Sequence, residues 1–165
     1  MELSGLLRLA HALSGVAFIA GLVGFWILLG LARRADSISL IRLYIRASDP
    51  FARLVTAGGI SVTVLGIATA LVLGRPLFGP LQGFRLDWLA VANMLMLPLV
   101  GFLAAVYPRF ARRLGDALRT AEADGGTEVT PAIASAWADP VYRFARTYEL
   151  IAVVVVFGLM VAKPF

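Results

Sequence analysis

The stretch that decides the fold is residues 9–31, which read LAHALSGVAFIAGLVGFWILLGL. It contains no Asp, Glu, Lys or Arg, and its one titratable side chain is His11. An α-helix rises 1.5 Å per residue, so these 23 residues cover about 34 Å. That length crosses the roughly 30 Å hydrocarbon core of a bilayer. The sequence therefore predicts a membrane-spanning helix here.

Three further apolar segments follow, at about residues 54–74, 86–107 and 141–162. The last has an uninterrupted apolar run of only about 20 Å, so its helix must extend back to about residue 141 to span. The chain is 60% hydrophobic and 15% charged, with a mean hydropathy of +0.87, which excludes a water-soluble globular domain. We predict one transmembrane domain, residues 1–165, that is all-α and forms a four-helix bundle in contact with the lipid bilayer.

Positive charge is concentrated on one side of the predicted spans. Eleven of the 15 Lys and Arg residues lie between or beside spans one and two, or spans three and four: Arg33, Arg34, Arg42, Arg46, Arg53, Arg109, Arg112, Arg113, Arg119, Arg143 and Arg146. The opposite side has only Arg8, Arg75, Arg85 and Lys163. Loops rich in Lys and Arg stay in the cytoplasm. The sequence therefore predicts a membrane protein with both long loops in the cytoplasm and both termini outside it, and no nucleic-acid partner is needed to explain the net charge of +5.

The two segments on the positive side differ in character. In the first, Ile38, Ile41 and Ile45 recur at helical spacing, with polar residues on another face. This pattern predicts an interfacial helix at about residues 37–47, lying along the inner leaflet. The second segment, about residues 108–139, is more polar and is predicted to be a cytoplasmic loop.

Short strings recur in the same order in the two halves of the chain. L-V-G-F occurs at 22–25 and 99–102, and A-R-R follows at 32–34 and 111–113. An Asp-Pro pair then precedes each even-numbered span, at 49–50 and 139–140. Asp before a helix accepts from free N–H groups, and Pro suits the first helical position. The collinear order indicates two tandem helical hairpins, with chance recurrence in an apolar chain as the alternative.

Polar side chains inside a bilayer are costly, so they are the first places to seek function. Measured from the middle of each span, His11, Asp87, Met160 and Lys163 lie roughly 12 to 16 Å toward the outside, and Asn93 lies somewhat deeper. These heights predict a site in the outer half of the membrane. Its cofactor-binding residues would be His11, Asn93 and Met160, with Asp87 and Lys163 as polar neighbours.

His11 is the only histidine in the chain. Ser14, Gly15 and Phe18 share its helical face, which favours contact with a neighbouring helix. Four roles suit it: a neutral hydrogen-bonded residue, an axial haem ligand, a copper ligand together with Met160, or a proton carrier. One histidine cannot provide bis-histidine haem ligation within one chain. Haem ligation would therefore need Met, another ligand or a symmetric dimer, so a homo-oligomer or a membrane complex is a possible partner.

A second polar group lies toward the cytoplasmic side of span four. Glu149 is its deepest member, and Arg146 precedes it by three residues. Either the two form an intrahelical ion pair that offsets the cost of insertion, or Glu149 is a proton or cation site. In both cases we expect Glu149 to lie within the helix and to face the bundle or Arg146.

The sequence contains no catalytic motif. No Walker loop, nucleophile triad, paired-carboxylate motif or metal-ligand spacing occurs in it. The chain also contains no cysteine, which excludes disulfides and Cys-based metal sites or nucleophiles.

Three stretches carry a family resemblance. They are L-L-R-L-A-H-A-L-S-G-V-A-F-I-A-G at 6–21, D-P-x-x-R-L at 49–54 and L-M-V-A-K-P at 159–164. They resemble a bacterial family of predicted integral membrane proteins with four transmembrane helices, a domain of unknown function. That family is similar to copper-resistance D membrane domains and HemJ-type protoporphyrinogen oxidases, which have a first-helix histidine. The resemblance implies that His11 matches that histidine, although the chain lacks a second histidine and has its one lysine, Lys163, at the end of span four.

Three functions are consistent with these observations. The leading hypothesis is an inner-membrane protein that binds haem or a metal, or supports a redox complex, through the outer-half site. The second is a small transporter or channel module that uses Glu149. The third is a structural accessory subunit with no chemistry of its own.

Overall fold

Helices make up most of residues 2–162, the part of the chain that the computed structural model describes, and no strand occurs in this part. The α-helices are α1 (Leu3–Arg34), α2 (Ile38–Val72), α3 (Trp88–Gly101), α4 (Tyr107–Ala123), α5 (Pro131–Trp137) and α6 (Pro140–Ala162). A 3₁₀ helix, Gly79–Gln82, precedes α3, and a π-helix, Phe102–Val106, joins α3 to α4. The predicted all-α class is confirmed. The chain divides into two compact units, the first ending at Arg75 and the second beginning at Pro76.

Four helical stretches are long and apolar enough to cross a membrane. They are Leu3–Arg34, Ile38–Val72, Trp88–Ala123 and Pro131–Ala162. Only 17–22% of the most apolar part of each stretch is buried inside the protein. Apolar surface of this extent suits contact with lipid and not with water.

The first unit is an antiparallel hairpin of α1 and α2, in which rings on one helix pack against glycines on the other. A Cβ on Gly24 would overlap the Phe51 ring, and a Cβ on Gly58 would lie 3.0 Å from the backbone of Phe18. Close backbone approach is the main source of helix association in lipid. Of the α2 glycines, Gly58 is the one whose Cβ would meet backbone atoms of α1.

Residues 37–47, predicted as a separate interfacial helix, are instead the first turns of α2. Ile38 and Ile41 are only 3% and 1% exposed. The apolar face that suggested an interfacial helix therefore packs inside the protein. Because this packing stabilises the early turns, α2 continues through Pro50 even though proline removes one backbone donor.

The two Asp-Pro pairs occupy different structural positions. Asp139 precedes α6, and its Oδ1 accepts from the backbone N–H groups of Val141 and Tyr142 at 2.9 and 3.1 Å. Pro140 is then the first residue of α6, as expected for a helix start. The pair at 49–50 lies inside α2 and starts no helix. The recurrence of this string therefore does not correspond to a structural repeat.

In the second unit, α6 packs against α3 and the π-helix, and α5 packs against α4. The segment 108–139, predicted as a loop, instead contains most of α4 and all of α5. Phe110, Leu114, Leu118 and Ala121 recur along one face of α4, and all four are buried. The charged residues of α4 lie on its exposed face. This division makes α4 an amphipathic helix with a single apolar stripe.

Candidate functional site

His11 faces α2 within the first unit. Its Nδ1 lies 2.9 Å from the backbone carbonyl oxygen of Val62. A carbonyl oxygen can only accept, so Nδ1 carries the proton and donates it. The lone pair of the neutral ring is therefore on Nε2, the nitrogen that is not engaged with Val62.

Gly66 makes room for the imidazole ring. A Cβ at this position would lie 2.9 Å from Cε1 and 3.3 Å from Nδ1 of His11. Gly66 follows Val62 by one helical turn, so the ring lies against bare backbone while it donates to a carbonyl of the same helix. His11 thus contacts a neighbouring helix as expected, and that helix is α2. Contact with span three or four stays a prediction.

Two other members of the expected outer-half site stabilise local structure in the second unit. Asp87 is the N-cap of α3, and its Oδ1 accepts from the N–H of Ala90 at 2.9 Å. Asn93 donates its Nδ2 to the carbonyl oxygen of Leu77 at 2.7 Å. These bonds explain both side chains without a cofactor.

The remaining members of that site are near the end of the chain. Met160 is half-buried in the last turn of α6. Lys163 lies outside the described residues. The grouping of these residues around His11 stays a prediction.

A second polar site lies inside the second unit and is centred on Glu149. This residue lies within α6 and is 7% exposed, so its predicted burial is confirmed. The hydroxyl of Tyr107 donates to Oε2 of Glu149 at 2.6 Å. Arg146, the expected neighbour, is half-buried one turn earlier and is close enough to act electrostatically on Tyr107. Glu149 therefore faces another helix of its own unit, α4.

The π-helix sets the direction of Tyr107. The N–H of Tyr107 donates to the carbonyl oxygen of Phe102, five residues earlier. The next residue, Pro108, has no N–H to continue the α-helical pattern. Such π turns are rare and are frequent at functional sites. The predictions from the sequence did not include Tyr107, and the signal available was a Tyr-Pro pair at the end of an apolar run.

Aromatic rings surround one side of Tyr107. The ring of Tyr142 lies edge-on to it, with centroids 6.1 Å apart. Phe110 stacks on Tyr142 with centroids 3.7 Å apart and an interplanar angle of 8°. Trp137 packs against Phe110 at 5.0 Å, and its buried Nε1 has no hydrogen-bond partner among residues 2–162. We call Phe110, Trp137 and Tyr142 the aromatic cluster.

A polar contact joins α4 to the start of α6. Arg113 donates to Oδ2 of Asp139 at 3.0 Å. Asp139 therefore accepts from α4 through Oδ2 and from the first turn of α6 through Oδ1. The Arg113 side chain is 58% exposed, so water screens this ion pair and limits its contribution to stability.

Within the part of the chain that the structure describes, no group of three or more His, Cys, Asp and Glu side chains is arranged to hold a metal ion. Comparison with models of protein families, with curated proteins and with solved structures gives no match to this chain. The four long apolar helices define the class as a multi-pass, all-α membrane protein.

Proposed function

We propose that the protein lies in the bacterial inner membrane with the arginine-rich ends of its helices in the cytoplasm. Support comes from the charges of the first hairpin. Arg33 and Arg34 form the last turn of α1, and Arg42 follows early in α2. The other end of the hairpin has only Arg8 and Arg75. By the positive-inside rule, the turn between α1 and α2 is cytoplasmic and both termini of the chain are outside the cytoplasm.

This orientation predicts opposite labelling of two single-cysteine variants, since the chain has no native cysteine. Leu81 is 78% exposed in the 3₁₀ helix, and Thr127 is exposed between α4 and α5. A membrane-impermeant maleimide applied to spheroplasts should label Leu81→Cys at once and Thr127→Cys only after permeabilisation. The reverse pattern would contradict the orientation.

We further propose that the first hairpin binds haem through His11, in the outer half of the membrane. The observation that carries this proposal is the bond from Nδ1 to the carbonyl of Val62. Histidines that bind metals commonly donate their other ring N–H to a backbone carbonyl, which fixes the tautomer and the ring orientation. His11 has this arrangement, with its lone pair on Nε2.

The available donors favour haem over a copper ion held by protein side chains alone. A copper site needs several ligands, and residues 2–162 contain no suitable group of His, Cys, Asp and Glu. Haem brings its own porphyrin nitrogens and needs only axial ligands from the protein. His11 supplies one. His11 of a second copy is a candidate for the other. Bound haem would supply a one-electron redox centre, which suits a subunit that supports a redox complex.

Two substitutions test this proposal by absorbance. Purified wild-type protein titrated with haem in detergent should develop a Soret band, and His11→Ala should abolish it. Gly66→Ala places a Cβ 2.9 Å from the ring and should displace it from Val62. Because loss of such a supporting contact weakens metal binding, we expect about 10- to 100-fold lower affinity for haem.

Gly15→Ala is the matched control, because its Cβ would make only an ordinary 3.8 Å contact with Val62. Its haem affinity should equal that of the wild type. No Soret band in the wild type, or an unchanged band in His11→Ala, would rule out the haem proposal. The hairpin would then be left with the role of a structural accessory subunit.

A further inference from the structure

Glu149 is the one charged side chain that is buried among residues 2–162. It lies on α6 between Ala145 and Ala152, which are also buried. An ionisable group at this depth in an apolar helix is costly, and an apolar side chain would fill the same space more cheaply. A carboxyl group at this position is therefore better explained by a function that requires it than by packing.

The contact with Tyr107 suits an ionised carboxylate. The two oxygens are 2.6 Å apart, within the range of a charge-assisted O–H···O⁻ hydrogen bond. An ionised carboxylate only accepts, so the phenol hydroxyl is the donor. Tyr107 reaches Glu149 from the turn that follows the π-helix.

The groups around Glu149 favour the binding of a proton over the binding of another cation. Tyr142 and Arg146 on α6, with Tyr107 on α4, are the titratable and charged groups that interact with one another here. Among the segments packed against α6, α3 and the π-helix contain no titratable side chain, and α4 contributes Tyr107. The positive charge of Arg146, which acts on Tyr107, would oppose a metal or alkali ion here, and Glu149 is the one buried carboxylate among residues 2–162. A proton needs only that carboxylate.

We propose that Glu149 and Tyr107 form a proton-binding site inside the second unit, independent of haem at His11. On uptake, a proton from water forms an O–H bond with one carboxylate oxygen of Glu149 and neutralises its charge. On release, that bond breaks and the proton returns to water. Tyr107 keeps its own proton throughout and acts as a positioning residue that stabilises the ionised form. No electron is transferred.

Infrared difference spectroscopy tests the site in the full-length protein reconstituted in liposomes. A protonated carboxyl group has a C=O stretching band that a carboxylate lacks, and this band shifts in heavy water. Besides the bands of its exposed carboxyl groups, the wild type should show such a band that appears and disappears reversibly with pH, and Glu149→Gln should lack it. Asp116→Asn, at an exposed residue paired with Arg119, should leave the band unchanged.

Tyr107→Phe provides a second test that does not depend on the folding of Glu149→Gln. Loss of the hydroxyl removes a donor that stabilises the carboxylate, so the midpoint of the titration should move to higher pH. We expect a shift of about 1 to 2 pH units from the strength of a hydrogen bond to a charged group. Tyr148→Phe is the matched control, because its hydroxyl donates to the carbonyl of Leu95 at 2.9 Å. Its midpoint should not move.

Three results would overturn the proposal. The first is a wild-type protein whose titrating carboxyl bands are only those of its exposed residues, since Glu149 would then keep one protonation state. The second is a band that persists in Glu149→Gln. The third is an equal midpoint in the wild type and in Tyr107→Phe, since Tyr107 would then contribute nothing to proton binding.

Discussion

Replacing Phe110 by alanine should lower the free energy of unfolding of the second unit by about 3 to 5 kcal/mol. The ring is 9% exposed, stacks on Tyr142 at 3.7 Å and packs against Trp137 at 5.0 Å. Its removal leaves a cavity where α4, α5 and α6 meet. The opposite face of α4 is charged and exposed, so α4 borders water. Packing of the Phe110 ring therefore removes apolar surface from water and contributes the full hydrophobic stabilisation.

Phe157→Ala is the control, because this side chain is 55% exposed on α6 and faces the surface. Urea unfolding in mild detergent, followed by near-ultraviolet circular dichroism of the stacked rings, gives both free energies. Phe157→Ala should lose less than about 1 kcal/mol, as is usual for substitutions outside a packed core. Equal losses in the two variants would mean that the aromatic cluster does not stabilise the unit.

The four long helices were predictable because each depends on local composition. A run of about 20 apolar residues predicts a span whatever it packs against. The start of α2 was not predictable in this way. Ile38 and Ile41 have the same spacing in an interfacial helix and in a helix that packs on a neighbour. Only the three-dimensional contacts distinguish these two cases.

The sequence of α4 contains a helical pattern of apolar residues, but its many charged residues led to the prediction of a loop. Phe110, Leu114, Leu118 and Ala121 recur at the spacing of one helical face. Between them lie arginines and other polar residues, so average polarity indicated a loop. The hydrophobic period was the better guide here, because a surface helix needs only one apolar stripe.

The sequence predicted how deep the polar side chains lie in the membrane, but it did not predict which groups they contact. The burial of Glu149 follows from its position in a span that must reach back to about residue 141. Its donor, Tyr107, depends on a π-helix, which has no reliable sequence signature. The orientation of His11 toward a helix follows from the small residues on its face. The acceptor of the His11 hydrogen bond is the backbone carbonyl of Val62. Every residue has a backbone carbonyl, so the sequence does not single out this one.

Replacing Gly58 by leucine should open the first hairpin and lower its free energy of unfolding by about 3 kcal/mol or more. A Cβ at this position would lie 3.0 Å from both the Cα and the backbone N of Phe18. A side chain can rotate away from such a contact, but backbone atoms cannot. The helices must therefore move apart. This cost exceeds the gain of roughly 1 kcal/mol that leucine brings through its higher helix propensity.

Spin labels at Leu13 and Val64, both exposed on the hairpin, measure this separation in the cysteine-free background. In Gly58→Leu the distance between labels should widen, because the spacing of two helices depends on the side chains between them. Gly30→Leu is the matched control, since no atom lies within 4 Å of its Cβ position, and it should leave the distance unchanged. The same distance in Gly58→Leu and the wild type would show that the hairpin does not depend on backbone contact at Gly58. In that case the rings of Phe51 and Phe18, and not the glycines opposite them, would hold α1 against α2.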